Sequence, residues 1–86
     1  METGTIVLSK AGRDEGRVFL VVAAPEENFR HVADGKLRPL AKPKRKKLKH
    51  LTILGYSEEL AELLHQGALT NKLLKQKLKL FYEKAE

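Results

Sequence analysis

Val7-Leu8-Ser9-Lys10-Ala11-Gly12-Arg13-Asp14-Glu15-Gly16-Arg17-Val18-Phe19-Leu20-Val21-Val22 is the stretch on which the fold turns. Two runs of β-branched and aromatic residues flank a short polar loop, and a glycine stands at each end of that loop. Glycine takes positive φ at little cost, so the pattern reads as two antiparallel strands joined by a tight connection. Outward from there, Thr5 to Lys10, Arg17 to Ala24 and Phe29 to Ala33 read as strands. Pro25 opens the second connection, and Asp34-Gly35 is a two-residue hairpin signal. A fourth strand is expected near Leu37 to Leu40 and a fifth near His50 to Leu54. Pro39 and Pro43 confine the intervening residues to an edge or an extended loop, because proline cannot donate to a ladder. Five short antiparallel strands in so little chain suggest a small barrel.

After Gly55 the apolar period changes from two to about 3.6. Ser57 is placed as an N-cap, Glu58 and Glu59 suit the positive end of a helix, and Gly67 stops it after His65. Thr70 caps a second helix in which Leu74, Leu78, Phe81 and Ala85 share one face, with Lys72, Lys75 and Lys79 elsewhere around the axis. Residues 1–55 are thus expected to form the barrel and 56–86 a helical extension. Strand two is apolar on both faces, Val18, Leu20 and Val22 on one and Phe19, Val21 and Ala23 on the other. A small barrel buries only one face inside, so the second helix is the expected cover, with docking on another protein as its competing role.

Charge is unevenly distributed. The 86 residues carry a net +6, yet Lys36, Arg38, Lys42, Lys44, Arg45, Lys46, Lys47 and Lys49 fall between Lys36 and His50 with no acidic residue among them, leaving about −2 for the rest. Such a segment is a footprint for a polyanion, since several cations on one extended stretch release several counterions from nucleic acid. Its bland reading is a solvated loop that aids solubility. Lys10 and Arg17 flank the first loop and extend the positive surface. Arg13 either presents its guanidinium to RNA or pairs with Asp14 to stiffen the turn, and Gly12 and Gly16 serve loop geometry. RNA is favoured over duplex DNA because no helix carries the run. Only Phe19, Phe29, Tyr56, Phe81 and Tyr82 are aromatic, mostly at core positions, so folded RNA recognised by shape and phosphate is expected rather than stacked single strands.

Other chemistries find little support. With no cysteine, disulfides, Cys-based zinc sites and thiol catalysis drop out, and His31, His50 and His65 are too widely spaced for a zinc site. Ser9, His31 and Asp34 lack the surroundings of a nucleophile, and no nucleotide-type glycine loop is present. No catalytic residue, metal or cofactor is assigned. The longest apolar run, Val18 to Ala24, is far short of the roughly 20 residues of a membrane-spanning helix, and a cytosolic place is expected.

The opening stretch, with Val32-Ala33-Asp34-Gly35-Lys36-Leu37-Arg38 and Lys42-Pro43-Lys44-Arg45-Lys46-Lys47-Leu48-Lys49-His50-Leu51, resembles a KOW motif. It is similar to the KOW-containing proteins of the large ribosomal subunit in archaea and eukaryotes and to small bacterial relatives, over about residues 4–54. Members of the transcription elongation branch typically have a Gly-Pro-Phe turn after the first strand, where this chain reads Ala11-Gly12-Arg13-Asp14. Two short helices follow where ribosomal members carry a long RNA-threading tail. The resemblance implies an SH3-like five-stranded barrel whose glycine-bearing loop contacts RNA or protein. It implies binding of ribosomal RNA, with ribosomal proteins as further neighbours. The candidate RNA-binding residues are Lys10, Arg13, Arg17, Lys36, Arg38, Lys42, Lys44, Arg45, Lys46, Lys47, Lys49 and His50, with Gly12, Asp14 and Gly16 shaping the loop. The alternative is a KOW-type module that docks on transcription or translation machinery.

Overall fold

The computed structural model describes the backbone of residues 1–85 and the side chains of residues 1–82. Five strands, β1 (Thr5–Ser9), β2 (Val18–Glu26), β3 (Phe29–Ala33), β4 (Lys44–Lys47) and β5 (Leu51–Tyr56), form one antiparallel sheet in the order β4-β3-β2-β1-β5. Helices α1 (Glu58–His65) and α2 (Asn71–Ala85) follow. The chain is therefore mainly β with two C-terminal helices, and the sheet is not closed, because β4 and β5 remain its two edges.

The expected strand at Leu37 to Leu40 is absent, and the basic run itself supplies β4. Hydrogen-bond supply explains the exchange. The Asp34 carboxylate accepts from the backbone N–H of Lys36 and of Arg38, both at 2.9 Å, while Asp34 and Gly35 donate to the Arg38 carbonyl and Lys42 donates to that of Pro39. Local side-chain and turn bonds have taken the backbone groups that a ladder would need. Asp34-Gly35 accordingly opens a ten-residue connection, not a two-residue hairpin. Past Pro43 the backbone is free again, and Lys44 to Lys47 pair with Val32 to Phe29.

Opposite edges of the sheet are joined by only a three-residue 3-10 turn, Leu48–His50. In a flat sheet five strands at about 4.8 Å spacing would hold those edges about 19 Å apart. Three residues of 3-10 turn advance only about 6 Å. The sheet must therefore fold over on itself, and β2 bends where its register with β3 slips between Val21 and Ala23 and again before Glu26. Leu48 N–H donates to the Asn28 carbonyl at 2.9 Å and Lys10 N–H to that of His50 at 2.8 Å, fastening the turn at both ends.

Folding over gives the two faces of β2 different partners. Phe19 and Val21 join Val7, Val32 and Leu51 in one buried cluster. Val18 and Leu20 join Ile6, Ala33, Leu60, Leu74 and Leu78 in the other, so α2 covers the second apolar face of the sheet. Phe81 packs at its margin, and the Ala85 side chain, expected on the same stripe, lies outside the described residues. Local signals seat both helices. Ser57 Oγ accepts from Leu60 N–H at 3.1 Å, and Thr70 Oγ1 from Leu73 N–H at 3.2 Å. Gly35 has φ +80°, and a Cβ there would overlap the Asn71 carbonyl, so only glycine lets the loop touch the start of α2. Asn71 Oδ1 accepts from Leu40 N–H at 2.8 Å. Among the described residues no helix is long and apolar enough to cross a membrane.

Truncating Leu78, fully enclosed between α2 and β2, to alanine should cost about 2–5 kcal/mol in chemical denaturation. Leu80→Ala, two positions along and 68% exposed, should change stability by no more than about 0.5 kcal/mol. Equal effects would mean that α2 does not hold the sheet through this face.

Candidate nucleic-acid interface

The loop after β1 is a 3-10 turn at Gly12–Asp14. Gly12 and Gly16 both have positive φ, at 77° and 85°, a conformation other residues adopt only with strain. Gly16 N–H donates to the Ser9 carbonyl at 2.9 Å, and Arg17 N–H to that of Asp14 at 3.0 Å. The turn sinks the Asp14 carboxylate into the protein and leaves Arg13 exposed. Asp14 takes its cations from far along the chain, Arg38 Nη2 at 3.3 Å and Lys46 Nζ at 3.9 Å, not from Arg13 beside it.

Lys46 lies in the middle of the basic run, yet it is only 7% exposed. Its ammonium donates to the Ala11 carbonyl at 3.0 Å, so β4 reaches across the folded sheet to the β1–β2 loop. A buried cation needs such partners, because its desolvation is otherwise unrepaid. Arg45, the preceding residue, is also engaged. Its Nε and Nη2 donate to the two oxygens of Glu26 at 2.7 and 2.9 Å, and its guanidinium stacks 3.4 Å from the centre of the Phe29 ring. That bidentate bond holds the Glu26 carboxyl below its ordinary range and raises the guanidinium further. Arg17 pairs with Asp34 at 3.6 Å.

The sequence-derived set thus divides. Arg17, Arg38, Arg45 and Lys46 are held by Asp34, Asp14, Glu26 and Asp14 respectively. Lys10, Arg13, Lys36, Lys42, Lys44, Lys47 and Lys49 expose their side chains. Several of the latter converge. Lys10 N–H donates to the His50 carbonyl at 2.8 Å, which sets the end of β1 beside Lys47 and Lys49 at the β4–β5 turn, and the His50 pKa is lowered first by desolvation and then by the positive charges of Lys49, Lys47, Lys46 and Lys10. Lys36 is separate, on the β3–β4 loop beside α2. The same side of α2 brings Lys75 and Lys79 to a cleft shared with Arg17 and Lys36, two cations that the linear reading left out of the site. Their signal was present as four-residue spacing on a helix, but nothing in the linear pattern says which side of α2 meets the loop. Among the described residues no three His, Cys, Asp or Glu side chains cluster as metal ligands.

No protein-family model matches the chain, and comparison with curated protein sequences gave no match.

The His50 geometry has a pH consequence. Its proton affinity is lower folded than unfolded, so the stability it contributes is complete above the ordinary value of 6.5 and is lost as pH falls through the folded value. NMR titration should give His50 a midpoint below 6.5 in the free protein, moving upward when RNA phosphates offset the surrounding lysines. A midpoint indifferent to added RNA would place the phosphates elsewhere.

Proposed function

We propose that the protein is a non-enzymatic RNA-binding protein of the KOW type, its folded-over sheet an SH3-like barrel, and that it binds ribosomal RNA of the large subunit in the cytoplasm. The observation that carries this reading is the row of exposed cations Lys42, Lys44, Lys47 and Lys49 along β4 and its flanks, joined by exposed Lys10, whose backbone N–H donates to the His50 carbonyl at 2.8 Å. These cations are exposed, and the nearby carboxylates of Asp14 and Glu26 are committed to Arg38, Lys46 and Arg45. Mutual repulsion among unpaired lysines is relieved by a polyanion, and each phosphate neutralised releases condensed counterions. An edge strand and a turn carry the charges, a surface suited to following a folded RNA backbone and unsuited to reading bases in a major groove. The reading calls for no cofactor or metal.

A second reading, docking on a protein of the translation or transcription machinery, is favoured by the other edge. Strand β5 has no charged residue and exposes Ile53 by 58% together with Tyr56. Uncharged edges of this kind pair readily with other chains.

Salt separates the two. If about five phosphates are neutralised, log affinity for a ribosomal RNA fragment should fall against log salt with a slope of roughly −3 to −5. Changing Lys42, Lys44, Lys47 and Lys49 to glutamine should flatten that slope, whereas Arg45 and Lys46 are left in place because they serve the fold. Affinity and slope unchanged by the quadruple substitution would remove the RNA reading, and salt-insensitive attachment to ribosomal particles would favour docking through β5.

A further inference from the structure

A cleft of about 320 Å³ lies between α2 and the loops at the start of β2 and the end of β3. Arg17, Lys36, Lys75 and Lys79 stand around it, Tyr82 makes one wall, and Val18 and Leu78 lie buried beneath it. Among the described residues the one carboxylate that lines it is Asp34, and that group already accepts two backbone N–H bonds and pairs with Arg17. The described lining residues therefore carry an excess of three positive charges, four cations against one carboxylate. Lys75 and Lys79 are four apart on the helix, a spacing at which like charges repel each other. An anion bound between them and Lys36 relieves that repulsion.

Tyr82 is what distinguishes this cleft from a plain cationic surface. Its hydroxyl accepts the N–H of Val18 at 3.2 Å, which fixes the ring against the first residue of β2 while 38% of the residue stays open. A ring held in place before binding loses little freedom when a flat partner stacks on it. Cations for a phosphate beside a fixed aromatic face are together the chemistry of a nucleotide. The Arg17 carbonyl accepts from Ser9 N–H, and the next residue, Lys10, donates its N–H to the His50 carbonyl, so a continuous backbone path joins the cleft to the exposed lysines at the β4–β5 turn.

We infer that this cleft holds one unpaired nucleotide of the bound RNA, its base on Tyr82 and its phosphate between Lys36, Lys75 and Lys79. The inference rests on the RNA reading and adds to it a preference for RNA with a bulged nucleotide. Two hairpins of identical stem, one with a single bulged uridine and one fully paired, serve as probes. The Tyr56→Phe protein is used, in which Tyr82 is the sole tyrosine of a chain without tryptophan. The bulged hairpin should bind about tenfold more tightly, within the range that stacking one base on an aromatic ring supplies, and should quench the tyrosine emission. Tyr82→Leu should abolish the preference and leave the paired hairpin's affinity unchanged. Lys75→Gln with Lys79→Gln, both exposed and dispensable for packing, should reduce the preference independently of any effect on folding. Equal affinity for the two hairpins without quenching overturns the inference and leaves the RNA reading standing. So does a preference that survives both sets of substitutions. Failure to bind either hairpin overturns both.

Discussion

The ammonium of Lys46 is the point where this fold is tied together. It sits inside the folded-over sheet, donates to the Ala11 carbonyl and faces the Asp14 carboxylate, so that edge strand β4 is held against the loop between β1 and β2. Asp14 in turn holds Arg38, which belongs to the loop between β3 and β4. One carboxylate thus joins three segments widely spaced in the chain, and a three-residue turn is enough to link the sheet's edges because those edges have already been brought together. Removing Asp14 would leave the buried Lys46 ammonium without a counter-charge, the situation in which a buried ion pair matters most.

This tie also divides labour within the basic run. Adjacent residues of a strand point to opposite faces, and a four-residue strand at a sheet edge sends some side chains inward whatever their charge. Lys46 is spent on the fold, and Arg45 on Glu26 and Phe29. Lys44 and Lys47 stay exposed, and with Lys42 and Lys49 they give a cationic edge that also discourages pairing with a second sheet. Helix α2 contributes on both of its sides, packing Leu74 and Leu78 on the sheet while turning Lys75 and Lys79 toward the loop that Asp34 shapes.

Much of this architecture is legible in the sequence. Strands β1 to β3 follow from β-branched runs and glycine-bracketed turns, and the helices from Ser57, Gly67, Thr70 and the 3.6-residue period. The cover over the second face of β2 follows from its being apolar on both sides. Strand β4 is not legible, because Lys-Arg-Lys-Lys has no alternation of apolar and polar residues for a periodicity argument to find. Leu37 to Leu40 misleads for the converse reason. Its pattern suits a strand, but the Asp34 side chain captures the backbone N–H groups first. In the candidate site, residue types are legible and partnerships are not. Asp14 beside Arg13 suggests a local pair, whereas burial selects Arg38, 24 positions away. Only the folded chain separates cations that hold it together from cations left for a ligand.

Lysine acetylation footprinting, read residue by residue by mass spectrometry on the free protein and on its complex with ribosomal RNA, tests that separation most directly. Lys46 should react slowly in both states, while Lys42, Lys44, Lys47 and Lys49 should react readily in the free protein and become protected in the complex. Lys46 reacting as fast as its neighbours, or neighbours whose reactivity RNA leaves unchanged, would contradict the account.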